Sequence, residues 1–79
     1  MSRLFELKGD EQTANVLMLI DLDKVCMVRL VEQPGQHYPH IQVRWVDGHE
    51  DHTVVPAHVA HEFVKAFRAY LTGKQGGAG

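Results

Sequence analysis

A chain of 79 residues, 44% apolar and 23% charged, suffices for one small domain and is too apolar to be wholly disordered. Eight basic residues against ten acidic ones leave a net charge of −2, which excludes the basic footprint of a nucleic-acid binder. The single cysteine, Cys26, excludes an intramolecular disulfide framework and suits a reducing compartment, so a cytoplasmic protein is expected. The opening residues lack the charged-then-apolar pattern of a signal peptide. The longest apolar run, residues 16–20, is far short of the roughly 20 residues a membrane helix needs, so no membrane partner is expected.

In chain order, residues 3–7 suit a short edge strand with Phe5 and Leu7 on one face. Lys8-Gly9-Asp10-Glu11 reads as a turn. Val16-Leu17-Met18-Leu19-Ile20 has strand length and is apolar on both parities, and Asp21 and Asp23 punctuate its end. Residues 25–32 are rich in β-branched side chains and read as a strand. Gln33-Pro34-Gly35-Gln36 is the strongest turn signal, because proline presets one turn dihedral and glycine supplies the positive one. Residues 37–46 form the next strand, with Ile41, Val43 and Trp45 alternating against Gln42 and Arg44. Asp47-Gly48 turns the chain, His49-Glu50-Asp51-His52 reads as a polar loop, and residues 53–55 pair back.

Residues 56–72 carry the helical period. Val59, Phe63, Phe67, Tyr70 and Leu71 make one apolar stripe, and His58, His61, Glu62, Lys65 and Arg68 lie opposite. Gly73 is placed to end the helix. The expected organisation is one domain over residues 1–73 and a flexible tail over 74–79. The expected fold is α+β: an antiparallel sheet of four to five strands with one C-terminal helix packed on one face. Its expected core is Leu19, Val28, Leu30, Ile41, Val43, Trp45, Val59, Phe63, Phe67 and Leu71.

One helix covers one face of a sheet, yet apolar residues fall on both parities of the second and third strands. Either the sheet curls toward a small barrel or a second subunit covers the free face. A homodimer is the expected solution, with Leu17, Met18, Met27 and Val31 as the candidate interface, and an unidentified protein partner is the other occupant such a face admits.

The six histidines form three i,i+3 pairs: His37/His40, His49/His52 and His58/His61. On a helix, His58 and His61 share a face with Glu62, and His49 and His52 bracket Glu50 and Asp51, so these four histidines are the candidate metal ligands. The plainer account is solvated surface histidine, and no cofactor is expected. Placed at an interface, the same residues make association sensitive to pH, since imidazole titrates near pH 6.5. No catalytic residue is expected. The only serine, Ser2, is terminal, and Cys26 sits among Val25, Met27 and Val28, where a buried inert thiol is the ordinary reading. Asp21 and Asp23 read as turn formers, and Trp45 as a continuation of the Ile41/Val43 face into the core. Arg29 and Arg44, the only arginines of the central strands, do not make a nucleic-acid stripe.

Leu7-Lys8-Gly9, Ile20-Asp21-Leu22, residues 28–34, residues 41–48 ending in glycine, and a helix from Phe63 to Tyr70 follow one another in an order that resembles short bacterial flagellar accessory proteins of the FlbD type. The resemblance spans most of the chain and rests on turn and core residues. It implies a small bacterial, non-enzymatic accessory protein; the six histidines and Trp45 depart from its pattern.

Overall fold

The computed structural model describes residues 3–76. Its first two strands, β1 (Leu4–Lys8) and β2 (Leu17–Asp21), form an antiparallel hairpin in which Phe5 lies opposite Ile20 and Leu7 opposite Met18. The alternation of β1 decides the faces. Phe5 and Leu7 turn inward, Glu6 and Lys8 turn outward, and the register then sends Leu17 and Leu19 outward with them. Between the strands Asp10 caps a 3-10 turn, Glu11–Thr13, its Oδ1 accepting from the Gln12 and Thr13 N–H groups at 3.0 and 3.2 Å. The Thr13 hydroxyl answers by accepting from the Asp10 N–H at 2.8 Å. Ala14 and Asn15 then take left-handed φ angles of 57° and 52° to bring the chain back.

A second 3-10 turn, Leu22–Lys24, capped by Asp21, leads into β3 (Val25–Val31), β4 (His40–Trp45) and β5 (Glu50–Val54). These pair antiparallel in the order β3-β4-β5, so β3 and β5 are edge strands. A bulge at Cys26 changes the parity of β3. Val25 pairs with Trp45 on the core side, whereas Met27 pairs with Arg44 on the outer side, so the two do not share a face as simple alternation requires. Gly35, at φ +79°, closes the Pro34-Gly35 turn, and the Gln36 N–H donates to the Gln33 carbonyl at 3.0 Å.

Two strand limits differ from expectation. The strand expected over residues 37–46 begins at His40, because the His37 carbonyl accepts the Ala57 N–H at 3.0 Å and Pro39 is buried. The segment expected as a polar loop, His49 to His52, supplies three residues of β5 instead. Cross-strand partners outweigh its polarity: Arg44 takes Glu50, and the Trp45 indole N–H donates to Asp51 Oδ2 at 2.7 Å.

The helix α1 (Ala57–Gly76) runs three residues beyond Gly73, the expected stop, so the start of the expected tail is helical; residues 77–79 lie outside the described residues. It packs against β1 and β3. The core is Leu7, Ile20, Leu22, Val25, Ile41, Val43, Val55, Ala60, Phe63 and Phe67, and the Phe5 and Phe63 rings meet with centroids 5.1 Å apart. The α+β class, the antiparallel strands and the C-terminal helix are as expected. The strands, however, divide into sheets of two and three rather than forming one, and no closed barrel forms. Leu19 and Leu71, expected in the core, are 63% and 38% exposed: Leu19 faces outward beside Glu6, and Leu71 sits on a groove rim.

Two tyrosines tie the parts together. The Tyr38 hydroxyl donates to Asp10 Oδ2 at 3.2 Å, and the Tyr70 hydroxyl donates to Asp23 Oδ1 at 2.7 Å. Burial and the Asp10 carboxylate hold the Tyr38 phenol above its ordinary pKa, and the Asp23 hydrogen bond, then burial, does the same for Tyr70. A raised folded-state pKa contributes stability that is full below the unfolded value of about 10 and is lost as pH rises through the folded value. Both tyrosines are therefore expected to ionise later than a free tyrosine amide in an ultraviolet titration of the folded protein. Titration together with the free amide would show that neither tether persists in solution.

Candidate functional site

The four candidate interface residues do not share one surface. Leu17, 56% exposed, lies on the outer face of the β1–β2 hairpin. Met18 turns the other way and packs half-buried against the core, because its neighbours in register are Leu7 and, two residues on, the inward Ile20. Met27 and Val31 lie on the outer face of the three-stranded sheet, Met27 half-buried and Val31 43% exposed. Both sheets turn their inner faces to a common core, so these outer faces point away from each other's packing.

The hairpin face carries a feature that the sequence reading missed. Leu4, Leu17 and Leu19 are each more than half exposed on it, alongside Glu6 and Lys8. The signal was in the sequence: Glu6 and Lys8 fix the outward parity of β1, and a paired β2 must then show Leu17 and Leu19 to solvent.

The outer face of β3-β4-β5 is polar at its centre. Arg44 binds Glu50, with the guanidinium Nη2 at 2.6 Å and Nε at 2.7 Å from Oε2, and the Gln42 amide donates to Oε1 at 2.9 Å. Hydrogen bonds from Arg44, then from Gln42, hold the Glu50 carboxyl below the usual carboxylate range. Arg29 and His52 flank Gln42 in register, and His40 lies between Val31 and Val54. With an acid at its centre and Met27, Val31 and Val54 around it, this face is mixed rather than basic.

The histidines are dispersed. His49 sits at the β4–β5 turn with Nε2 3.6 Å from Asp51 Oδ1, while His52 lies on the outer face of β5. His58 and His61 are exposed on α1, and His61 Nε2 lies 3.1 Å from both oxygens of Glu32, just past the end of β3, rather than pairing with Glu62. Among the described residues no three of His, Cys, Asp and Glu converge where they could hold a metal ion.

Cys26, expected as a buried thiol, is exposed, because the bulge turns it out of the ladder. Asp21 caps a 3-10 turn and binds Arg3 at 3.0 Å, and Asp23 accepts from Tyr70, so both acids have structural work. Trp45 continues the Ile41/Val43 face, half-buried against the core, with its indole N–H satisfied by Asp51. Ser2 lies outside the described residues.

One groove, of about 350 Å³, runs between β3 and α1, lined by Val28, Val64, Phe67, Arg68, Leu71 and Thr72. No helix among the described residues is long and apolar enough to cross a membrane. Comparison with family models, curated proteins and solved structures finds no match to this chain.

Proposed function

We propose that this chain is a small, non-catalytic, cytoplasmic protein that works by association, and that its first partner is a second copy of itself. The observation that carries this reading is the large apolar surface the monomer leaves uncovered: Leu4, Leu17 and Leu19 on the hairpin, and Val31 and Leu71 at the β3 side. Fully burying such a side chain is worth roughly 1.5–3 kcal/mol, and each of these, being only partly covered, forfeits a share of that. A two-fold dimer recovers part of that, less the rigid-body freedom it loses. The resemblance of the sequence to FlbD-type accessory chains supports a role without catalysis. So do the structural duties of Asp21 and Asp23, which remove the acid pair from the candidates for chemistry.

The test is the mass in solution by light scattering at about 10–50 μM, where a dimer whose fraction falls on dilution is expected. A monomer across that range overturns the reading.

A further inference from the structure

The groove between β3 and α1 is apolar along one side and cationic along the other. Its helix residues Val64, Phe67, Arg68, Leu71 and Thr72 stand at i, i+3, i+4, i+7 and i+8, so they make one stripe along about 12 Å of α1. Within the stripe the helical angle sorts them by polarity. Buried Phe67 lies about 100° around the helix from Arg68, with Leu71 and Val64 between them, and Thr72 lies beyond Arg68 on the exposed side. Val28, packed half-buried against the core, lines the groove from β3. At about 350 Å³ the groove falls at the lower end of the roughly 300–1,000 Å³ of small-molecule sites.

The charge at the rim is uncompensated. Arg3 and Arg44 are held by Asp21 and Glu50, whereas Arg68 makes no ion pair among the described residues. Glu62, the one acid of α1, stands about 120° around the helix from Arg68, and Glu32 is engaged by His61. Nor does the helix dipole account for Arg68, which lies two turns before Gly76, because that field acts within the last turn. Thr72, one turn on from Arg68, sets a hydroxyl donor beside the guanidinium.

We propose that this groove binds a small amphipathic carboxylate, a free medium-chain fatty acid, with its alkyl chain along Val28, Phe67 and Leu71 and its carboxylate on the Arg68 guanidinium and the Thr72 hydroxyl. The elongated apolar stripe suits an unbranched chain, and covering Leu71 removes apolar surface that the monomer exposes. The planar guanidinium fork matches a carboxylate. One arginine and one hydroxyl suit a singly charged group of two oxygens. A phosphate, with about two charges and three acceptor oxygens, asks for more donors than this rim holds. The site does not rest on self-association, since it leaves Leu4, Leu17 and Leu19 of the hairpin uncovered.

The test titrates decanoate, and separately decanol, into the isotope-labelled full chain at pH 8, where histidine is neutral, and follows the amide resonances. Decanoate is expected to bind with Kd below about 1 mM, shifting Val28, Val64 and Leu71, and decanol to bind about tenfold more weakly for want of the charge-assisted hydrogen bonds. Arg68→Gln, at an exposed position and so expected to match the parent by circular dichroism, should weaken decanoate about tenfold and leave decanol unchanged, which closes a cycle on the one contact. Leu71→Ala should weaken both ligands alike. Equal binding of decanoate and decanol by the parent overturns the carboxylate site, and so does loss of neither ligand in Arg68→Gln. Shifts gathered at Leu4, Leu17 and Leu19, or no saturation at millimolar decanoate, also overturn it. An apolar peptide with a free C-terminal carboxylate that shifts the β3 amides where decanoate does not would overturn it in favour of strand addition. Light scattering on the same samples reads self-association separately, so either reading can fail alone.

Discussion

Phe63→Ala is expected to cost about 3–5 kcal/mol, the range for truncating a buried phenylalanine, against the 5–15 kcal/mol that holds a small domain together. Phe63 is fully buried, its ring stacks at a tilt on Phe5, and it lies where α1 meets the hairpin. Removing it opens a cavity between two elements joined there by side chains alone. At about 4–8 °C per kcal/mol for a chain of this size, the melting temperature should fall by tens of degrees, or folding should fail at ambient temperature. Phe67→Ala should lose less, because Phe67 keeps some exposure and already borders the groove. Lys65→Ala, on the exposed side of the helix, should stay within about 0.5 kcal/mol of the parent. All three must be melted at one protein concentration, since association raises apparent stability. A Phe63→Ala protein that melts within a few degrees of the parent would refute the position of the helix on the hairpin.

Gly9→Ala is the second large effect. Its backbone is not in a left-handed conformation, so the glycine is required by close approach. An added Cβ would overlap the Thr13 hydroxyl and come within 2.7 Å of Val16 Cγ1. Thr13 cannot yield freely, because its hydroxyl accepts from the Asp10 N–H and donates to the Asp10 carbonyl. Nor can the Gly9 backbone, whose N–H donates to the Val16 carbonyl at 2.7 Å. Overpacking and a broken cap together should cost about 2–4 kcal/mol, a loss of 10 °C or more in melting temperature. The mechanism has its own check. In a Thr13→Ala background the hydroxyl that the new Cβ would overlap is gone, and Gly9→Ala should cost measurably less there. Equal cost in both backgrounds would place the strain elsewhere.

Much of the fold was legible because its periods are clean. Phe63 and Phe67 stand one turn apart on the apolar stripe of α1, and both are buried. Ile41, Val43 and Trp45 alternate with polar residues and line the core as expected. The failures occur where local pattern and pairing disagree. Leu17 to Ile20 is apolar at every position, so parity alone cannot say that Met18 goes in and Leu19 stays out; only the partner strand, with Glu6 opposite Leu19, decides. Cys26 is exposed because of a bulge, and nothing in a run of apolar residues marks where one residue drops out of the ladder. The polar run Glu50-Asp51-His52 becomes a strand because Arg44, Gln42 and Trp45 wait across the β4–β5 hairpin, and the run's own polarity does not show them. The candidate surface was half legible for the same reason. Val31 and Leu17 are exposed as proposed, whereas Leu4 and Leu71 needed the register and the helix position.

The absence of a ladder between the two sheets also bears on how the molecule comes apart. β1 and β2 are bonded to each other by neighbours in the chain, a local arrangement that closes quickly during folding. The tether from Asp10 to Tyr38 spans 28 residues and that from Asp23 to Tyr70 spans 47, so each must await the arrival of a distant segment. The hairpin is thus a unit that can lift away without breaking a single rung of β3-β4-β5, at the cost of its side-chain packing and the Tyr38 tether. Amide exchange should register this as two classes of protected N–H: those of β1 and β2 opening together at the lower free energy, and those of β4, flanked on both sides, released only when the whole chain unfolds.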